Sequence, residues 1–116
     1  MCARASPMAL AMDTLTRLEA TIAQRLTASP EESYVAKLHG KGLPKIAQKV
    51  GEEATETVIA ALTGDAAELV GEAADLLFHL MVLLAEKGVP FGTVLAELDR
   101  REGTSGIVEK AARSQD

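Results

Sequence analysis

Along the chain, apolar residues recur every three or four positions and nowhere alternate singly over a strand's length, so the sequence reads as helices broken by short turns. A first helix is predicted from about Asp13 to Ala28, with Leu15, Leu18, Ile22 and Leu26 on one face. "SPEE" at 29–32 offers Ser29 as N-cap, Pro30 at the first helical position and Glu32 to complete a capping box. The short helix or single turn begun there runs into the glycine-rich "HGKG" at 39–42. Pro44 opens a third helix that Gly64 closes, with Ile46, Val50, Ala54, Val58, Ala61 and Leu62 as its apolar stripe. "DAAE" at 65–68 is a second capping box, and the fourth helix runs from it to Lys87, with Gly88 as the stop. A fifth helix follows Pro90, ends near Gly103 and carries Val94, Leu95 and Leu98; the tail "SGIVEKAARSQD" has room for one more short helix. The prediction is an all-α bundle of four to five helices.

Length and composition sharpen this picture. A chain of 116 residues, 47% hydrophobic, is most simply one domain, placed at residues 13–116 behind a disordered extension at residues 1–12. With Tyr34, Phe78 and Phe91 as its aromatics and no Trp, the core has to be built from Leu, Val, Ile and Ala. The fourth helix is apolar around most of its circumference from Leu76 to Leu84, which one face of a small bundle cannot cover. A homodimer with that helix at its centre is the expected solution. The apolar run from Leu76 to Ala85 is ten residues long, against roughly 20 for a membrane span, so no membrane is expected. A formal charge of −5 argues against a nucleic-acid partner. Cys2 is the lone cysteine and has no partner for a disulfide, which suits a reducing cytoplasm and reads as an incidental thiol.

The chemistry concentrates in "EEATE" at 52–56 and "EAADLLFH" at 72–79. Residues three or four apart share a helix face, so Glu53 neighbours Glu56 and Glu72 neighbours Asp75, with Glu52 one turn before Glu56. Glu53 and Glu72 fall at the margins of their helices' apolar stripes. An antiparallel hairpin across "TGD" brings those margins to comparable height. Four carboxylates converging in this way must keep protons or share a cation. Hard oxygen donors from two helices, with no cysteine and no paired histidine, suit Mg²⁺, with Mn²⁺ as a substitute. Because Mg²⁺ completes its shell with water and substrate phosphates, the pattern predicts phosphate chemistry. Any one of these acids, taken alone, reads as a solvated flank residue paired with Lys45 or Lys49; the doubled pattern favours the metal. His79, one turn after Asp75, reads first as a packed structural histidine. Lys37, Lys41, Lys49, Lys110 and Arg113 are the candidate substrate contacts. Lys49 is best placed among them, one turn before Glu53.

The strings "SYVAKLHGKGLPKIAQKVGEEATETVIAAL" and "ELVGEAADLLFHLMVLLAEKGV", with the ending "GTSGIVEKAAR", resemble the phosphoribosyl-ATP pyrophosphohydrolases of histidine biosynthesis, a branch of the MazG-like pyrophosphohydrolases. The resemblance covers roughly Leu15 to Arg113. It implies a MazG-like all-α fold and hydrolysis of phosphoribosyl-ATP to phosphoribosyl-AMP and pyrophosphate. It further implies Mg²⁺ on Glu53, Glu56, Glu72 and Asp75, with Glu52 and Glu53 as candidate catalytic acids or bases. The product would pass to a phosphoribosyl-AMP cyclohydrolase, for which this chain has no room, so a separate protein is expected. Two other readings share parts of the pattern: a house-cleaning hydrolase of nucleoside triphosphates, and a metal-free helical dimerisation module.

Overall fold

The computed structural model describes residues 7–103 and 106–114. Among them are six helices: α1 (Pro7–Arg25), α2 (Tyr34–Lys41), α3 (Leu43–Thr63), α4 (Ala66–Glu86), α5 (Phe91–Arg101) and α6 (Gly106–Ser114). The all-α class predicted from periodicity holds. The count rises by one because the tail segment forms α6.

Helix α1 begins at Pro7, six residues ahead of the predicted start at Asp13, so the part of the supposed disordered extension from 7 to 12 is helical. The reason is local. Proline suits a first helical position, and Met8 to Met12 are all good helix formers with no breaker among them. Residues 1–6 of that extension lie outside the described residues.

"SPEE" corrects a second expectation. Ser29 accepts hydrogen bonds at its carbonyl from the backbone N–H groups of Glu32 and Ser33, both at 3.0 Å, and at Oγ from that of Glu31 at 3.3 Å. These close one turn and go no further. The cap that starts α2 is Ser33, in extended conformation, whose Oγ accepts from the Ala36 N–H at 3.2 Å. Val35 and Leu38, three apart and buried, follow Ser33 and not Ser29, so packing selects the later cap.

Helix α2 runs through Gly40 and stops at Gly42, whose φ of +95° a side chain would resist. Pro44 then sits in the first turn of α3, where its missing N–H costs nothing. Asp65 caps α4 as predicted, its Oδ1 accepting from the Glu68 N–H at 2.9 Å.

The α3–α4 hairpin is the central packing unit; α1 lies against α4 and α2, and α2 also packs on α3. The core joins Ile22, Val35, Leu38, Ile46, Met81 and Val82, with Leu15, Leu18, Leu26, Phe78 and Phe91 packed around them. The four apolar residues of the predicted first helix all take part. The Phe91 N–H donates to Glu19 Oε2 at 2.6 Å and pins the start of α5 to α1. No described helix is long and apolar enough to cross a membrane.

The stripe predicted for α3 is only half right. Ile46 is buried and Val50 and Ala54 are half-buried, but Val58, Ala61 and Leu62 face outward. The buried line instead runs Ile46, Glu53, Ala60, a seven-residue repeat that tilts the inner face toward the acids. As a result Val58, Leu62 and Val70 are 57%, 79% and 69% exposed on the outside of the hairpin. Part of the apolar surplus thus lies toward the hairpin's turn; Leu77 on α4, Leu98 on α5 and Ile107 on α6 are exposed as well, while His79, Met81 and Val82 on α4 are buried within the chain itself. The Cα radius of gyration, 16.7 Å, exceeds the roughly 13 Å of a compact chain of about 100 residues.

Candidate metal centre

Glu53 and Glu56 project from α3 and Glu72 from α4, and a carboxylate oxygen of each lies within 4.8 Å of the other two. The structure therefore brings together three of the four predicted ligands. Asp75, one turn beyond Glu72, is exposed and borders the same groove of about 360 Å³ as Glu56 and Glu72. Ile59, Ala60, Thr63, Glu68 and Gly71 complete the lining of that groove.

Glu53 is only 7% exposed. Burial first, and then the neighbouring Glu56, push its carboxyl above the ordinary range. For Glu72 the order is reversed: a hydrogen bond shared with Glu56 raises it most, then burial, with Asp75 and Glu53 adding repulsion. Such a carboxyl–carboxyl bond exists only while a proton is shared. With all three ionised, Glu53 Oε2 and Glu72 Oε2 are buried and have no hydrogen-bond partner. Two orphaned carboxylate oxygens facing a third carboxylate are a costly arrangement for a stable fold, and a divalent cation satisfies all of them together. The donor set is all oxygen, which fits Mg²⁺ or Mn²⁺ and not a thiolate-preferring metal.

Glu52 does not join this cluster. Its carboxylate accepts from Gln48 Nε2 at 2.7 Å and from Lys49 Nζ at 3.2 Å. These two contacts, Gln48 the larger, hold it below the ordinary carboxylate range. Helical geometry explains the split, since consecutive residues sit about 100° apart and only one of the pair can face α4. Lys49 also lies 3.6 Å from Glu53 Oε1, so it bridges the outer acid and the buried one. Its own pKa is raised, first through the bond to Glu52. Of the five predicted substrate-contacting cations, Lys49 is the one the structure brings to the carboxylates, among the described residues. Lys37 and Lys41 stand exposed on α2, and Lys110 and Arg113 exposed on α6.

The family model of phosphoribosyl-ATP pyrophosphohydrolase matches residues 15–102. The chain belongs to this family. It is accordingly a hydrolase of the MazG-like all-α superfamily, in the histidine-biosynthesis branch. A phosphoribosyl-ATP pyrophosphatase of Novosphingobium aromaticivorans is 74% identical over 102 residues, covering 88% of this chain and 95% of that protein. The protein of the same description from Rhizorhabdus wittichii is 73% identical over 100 residues, 86% of this chain and 94% of its own length. That of Zymomonas mobilis is 60% identical over 101 residues, with coverages of 87% and 94%. The matched span contains every acid of the cluster and Lys49, whereas Lys110 and Arg113 lie beyond it.

Two neighbours of the centre escaped the sequence-based reading. Tyr34 reaches from α2 to the Nε2 of His79 at 2.9 Å, and Thr57 on α3 touches the backbone carbonyls of buried Glu53 and half-buried Glu72. His79 could be flagged by its place one turn after Asp75. Nothing in the spacing connects it to a tyrosine 45 residues earlier.

Proposed function

We propose that this chain hydrolyses phosphoribosyl-ATP to phosphoribosyl-AMP and pyrophosphate, the second step of histidine biosynthesis. The observation that carries this reading is the pair of partnerless buried oxygens on Glu53 and Glu72, facing Glu56, within a chain of this family. Glu53, Glu56 and Glu72, joined by Asp75 from the groove, would hold Mg²⁺ or Mn²⁺. When bound, such an ion supplies a water of lowered pKa and offsets charge on the departing pyrophosphate.

The chain's own residues supply the rest. Lys49 presents an ammonium at the edge of the carboxylates, where it orients and neutralises a phosphate. Glu53, at the inner edge of the cluster, and Glu52, beside Lys49, are the carboxylates placed to take the attacking water's proton. Glu52 also holds Lys49 against the site, its carboxylate 3.2 Å from Lys49 Nζ. Lys37, Lys41, Lys110 and Arg113 are further phosphate and ribose contacts in this reading. Phosphoribosyl-AMP passes on to a separate cyclohydrolase.

The working form is a homodimer. Val58, Leu62 and Val70 give it an apolar face that the single chain leaves uncovered. The test of the substrate is pyrophosphate release from phosphoribosyl-ATP beside a panel of ordinary and damaged nucleoside triphosphates. Selective release from phosphoribosyl-ATP is expected. Turnover of the triphosphates alone would keep the chemistry and assign the chain to a house-cleaning role.

A further inference from the structure

Thr57 lies between the two helices that carry the acids. Its Oγ1 is 2.7 Å from the carbonyl oxygen of Glu53, one turn back on α3, and 3.1 Å from the carbonyl oxygen of Glu72 on α4. The first contact is the ordinary back-bond of a helical threonine. The second crosses from one helix to the other and lands on the backbone of Glu72, the half-buried acid that faces Glu53. A single hydroxyl hydrogen serves both carbonyls as a three-centre bond.

We propose that Thr57 is a positioning residue whose hydroxyl fixes the axial register of α3 against α4, so that the Glu53 and Glu72 carboxyls meet where one divalent cation can take both. This rests on the metal reading above. Around the clamp, the hairpin's inner face offers mainly apolar contacts such as Ala60, and these resist sliding poorly because dispersion has no direction. The two carboxylates themselves push the helices apart once ionised. A hydrogen bond aimed from one acid's turn to the other acid's carbonyl opposes that displacement at the place where it matters. Both carbonyls lie inside helices and keep their ladder partners. Removing the hydroxyl therefore leaves no orphaned backbone group, and the clamp can be cut without unfolding the hairpin.

The test uses Thr57→Val, which keeps the shape and loses the hydroxyl, and Thr57→Ser, which keeps the hydroxyl. Mn²⁺ binding to the full chain is followed by the loss of the free-ion electron paramagnetic resonance signal. The backbone ¹³C carbonyl resonance of Glu72 is recorded in EDTA. Thr57→Val is expected to shift that resonance and weaken Mn²⁺ binding on the order of ten-fold, the usual scale for a partner of a metal ligand. Thr57→Ser should restore both, and thermal unfolding in EDTA should stay close to wild type for each variant. A Thr57→Val chain that binds Mn²⁺ as tightly as wild type overturns the positioning role alone. A wild-type chain that binds no Mn²⁺ overturns the metal reading, and this proposal with it.

Discussion

The Tyr34 hydroxyl on α2 donates to Nε2 of His79 on α4 at 2.9 Å, while His79 Nδ1 lies 2.7 Å from the carbonyl oxygen of Asp75. A carbonyl can only accept, so Nδ1 carries a proton, and in the neutral ring Nε2 receives the tyrosine's. The ring is 6% exposed, with Phe78 edge-on to it at 5.3 Å. His79 thus ties the turn that carries Asp75 to the start of α2. Both of its nitrogens have partners, one turn from a candidate ligand.

Tyr34→Phe strands the buried Nε2 without its donor. A loss of about 1 kcal/mol in unfolding free energy is expected, at the lower end for an unsatisfied buried group. Urea denaturation should show the midpoint falling with an unchanged slope.

The raised pKa values of Glu53 and Glu72 make a signed prediction for the metal-free chain. The folded state holds protons that the unfolded chain has already shed. The stability this contributes is therefore fully present below the ordinary value of 4.5 and is lost as pH rises through the raised folded values. In EDTA, the melting temperature should fall from acidic toward neutral pH, and Mg²⁺ at neutral pH should restore it. Glu97 runs the other way: Arg100 and Arg101 hold it down to about 2, so its contribution is present above 4.5 and fades only as pH falls toward that value. A melting temperature that rises through neutrality in EDTA would contradict the assignment of repulsion to the cluster.

Glu53→Gln and Glu72→Gln should separate stability from activity. Each removes a charge from the crowded site and places an amide donor beside Glu56. Melting in EDTA is expected to rise for both variants. Mg²⁺-dependent turnover should drop by at least about a hundred-fold, the scale on which removing one preorganised charge-stabilising group acts. Differential scanning fluorimetry beside a pyrophosphate-release assay measures the two effects on the same samples.

Asp65→Ala tests the cap that sets the hairpin. Losing the bond to the Glu68 N–H should cost about 1 kcal/mol, read by urea denaturation. The dimer reading has its own check. Light scattering should give twice the chain mass, and Leu62→Glu, which places a charge on the exposed apolar face, should shift the mass toward one chain.

Much of this was legible where local chemistry decides. Asp65 with Glu68, and Gly64 and Gly88 as stops, bound the two long helices because caps and breakers act within a turn. The doubled acidic spacing placed Glu53, Glu56 and Glu72 together because helical periodicity and one short turn suffice to fix it. Choices between near-equivalent local signals were not legible. Ser29 and Ser33 are both good caps, and only the burial of Val35 and Leu38 decides between them. The apolar stripe read for α3 placed Val58 and Leu62 inside, where the structure has them exposed, although it did put Glu53 and not Glu52 at the margin that faces α4. The Tyr34–His79 bond spans 45 residues and has no trace in any local pattern.

In the proposed mechanism Glu53, Glu56, Glu72 and Asp75 form one divalent-metal site that drives hydrolysis. The most direct measurement is pyrophosphate release from phosphoribosyl-ATP by the wild-type chain in EDTA, then after Mg²⁺ is added in excess, with Glu56→Gln run in parallel. Release that begins only with Mg²⁺, and stays absent in Glu56→Gln, is the predicted result. Equal release in EDTA and Mg²⁺, or a Glu56→Gln chain as active as wild type, would contradict it.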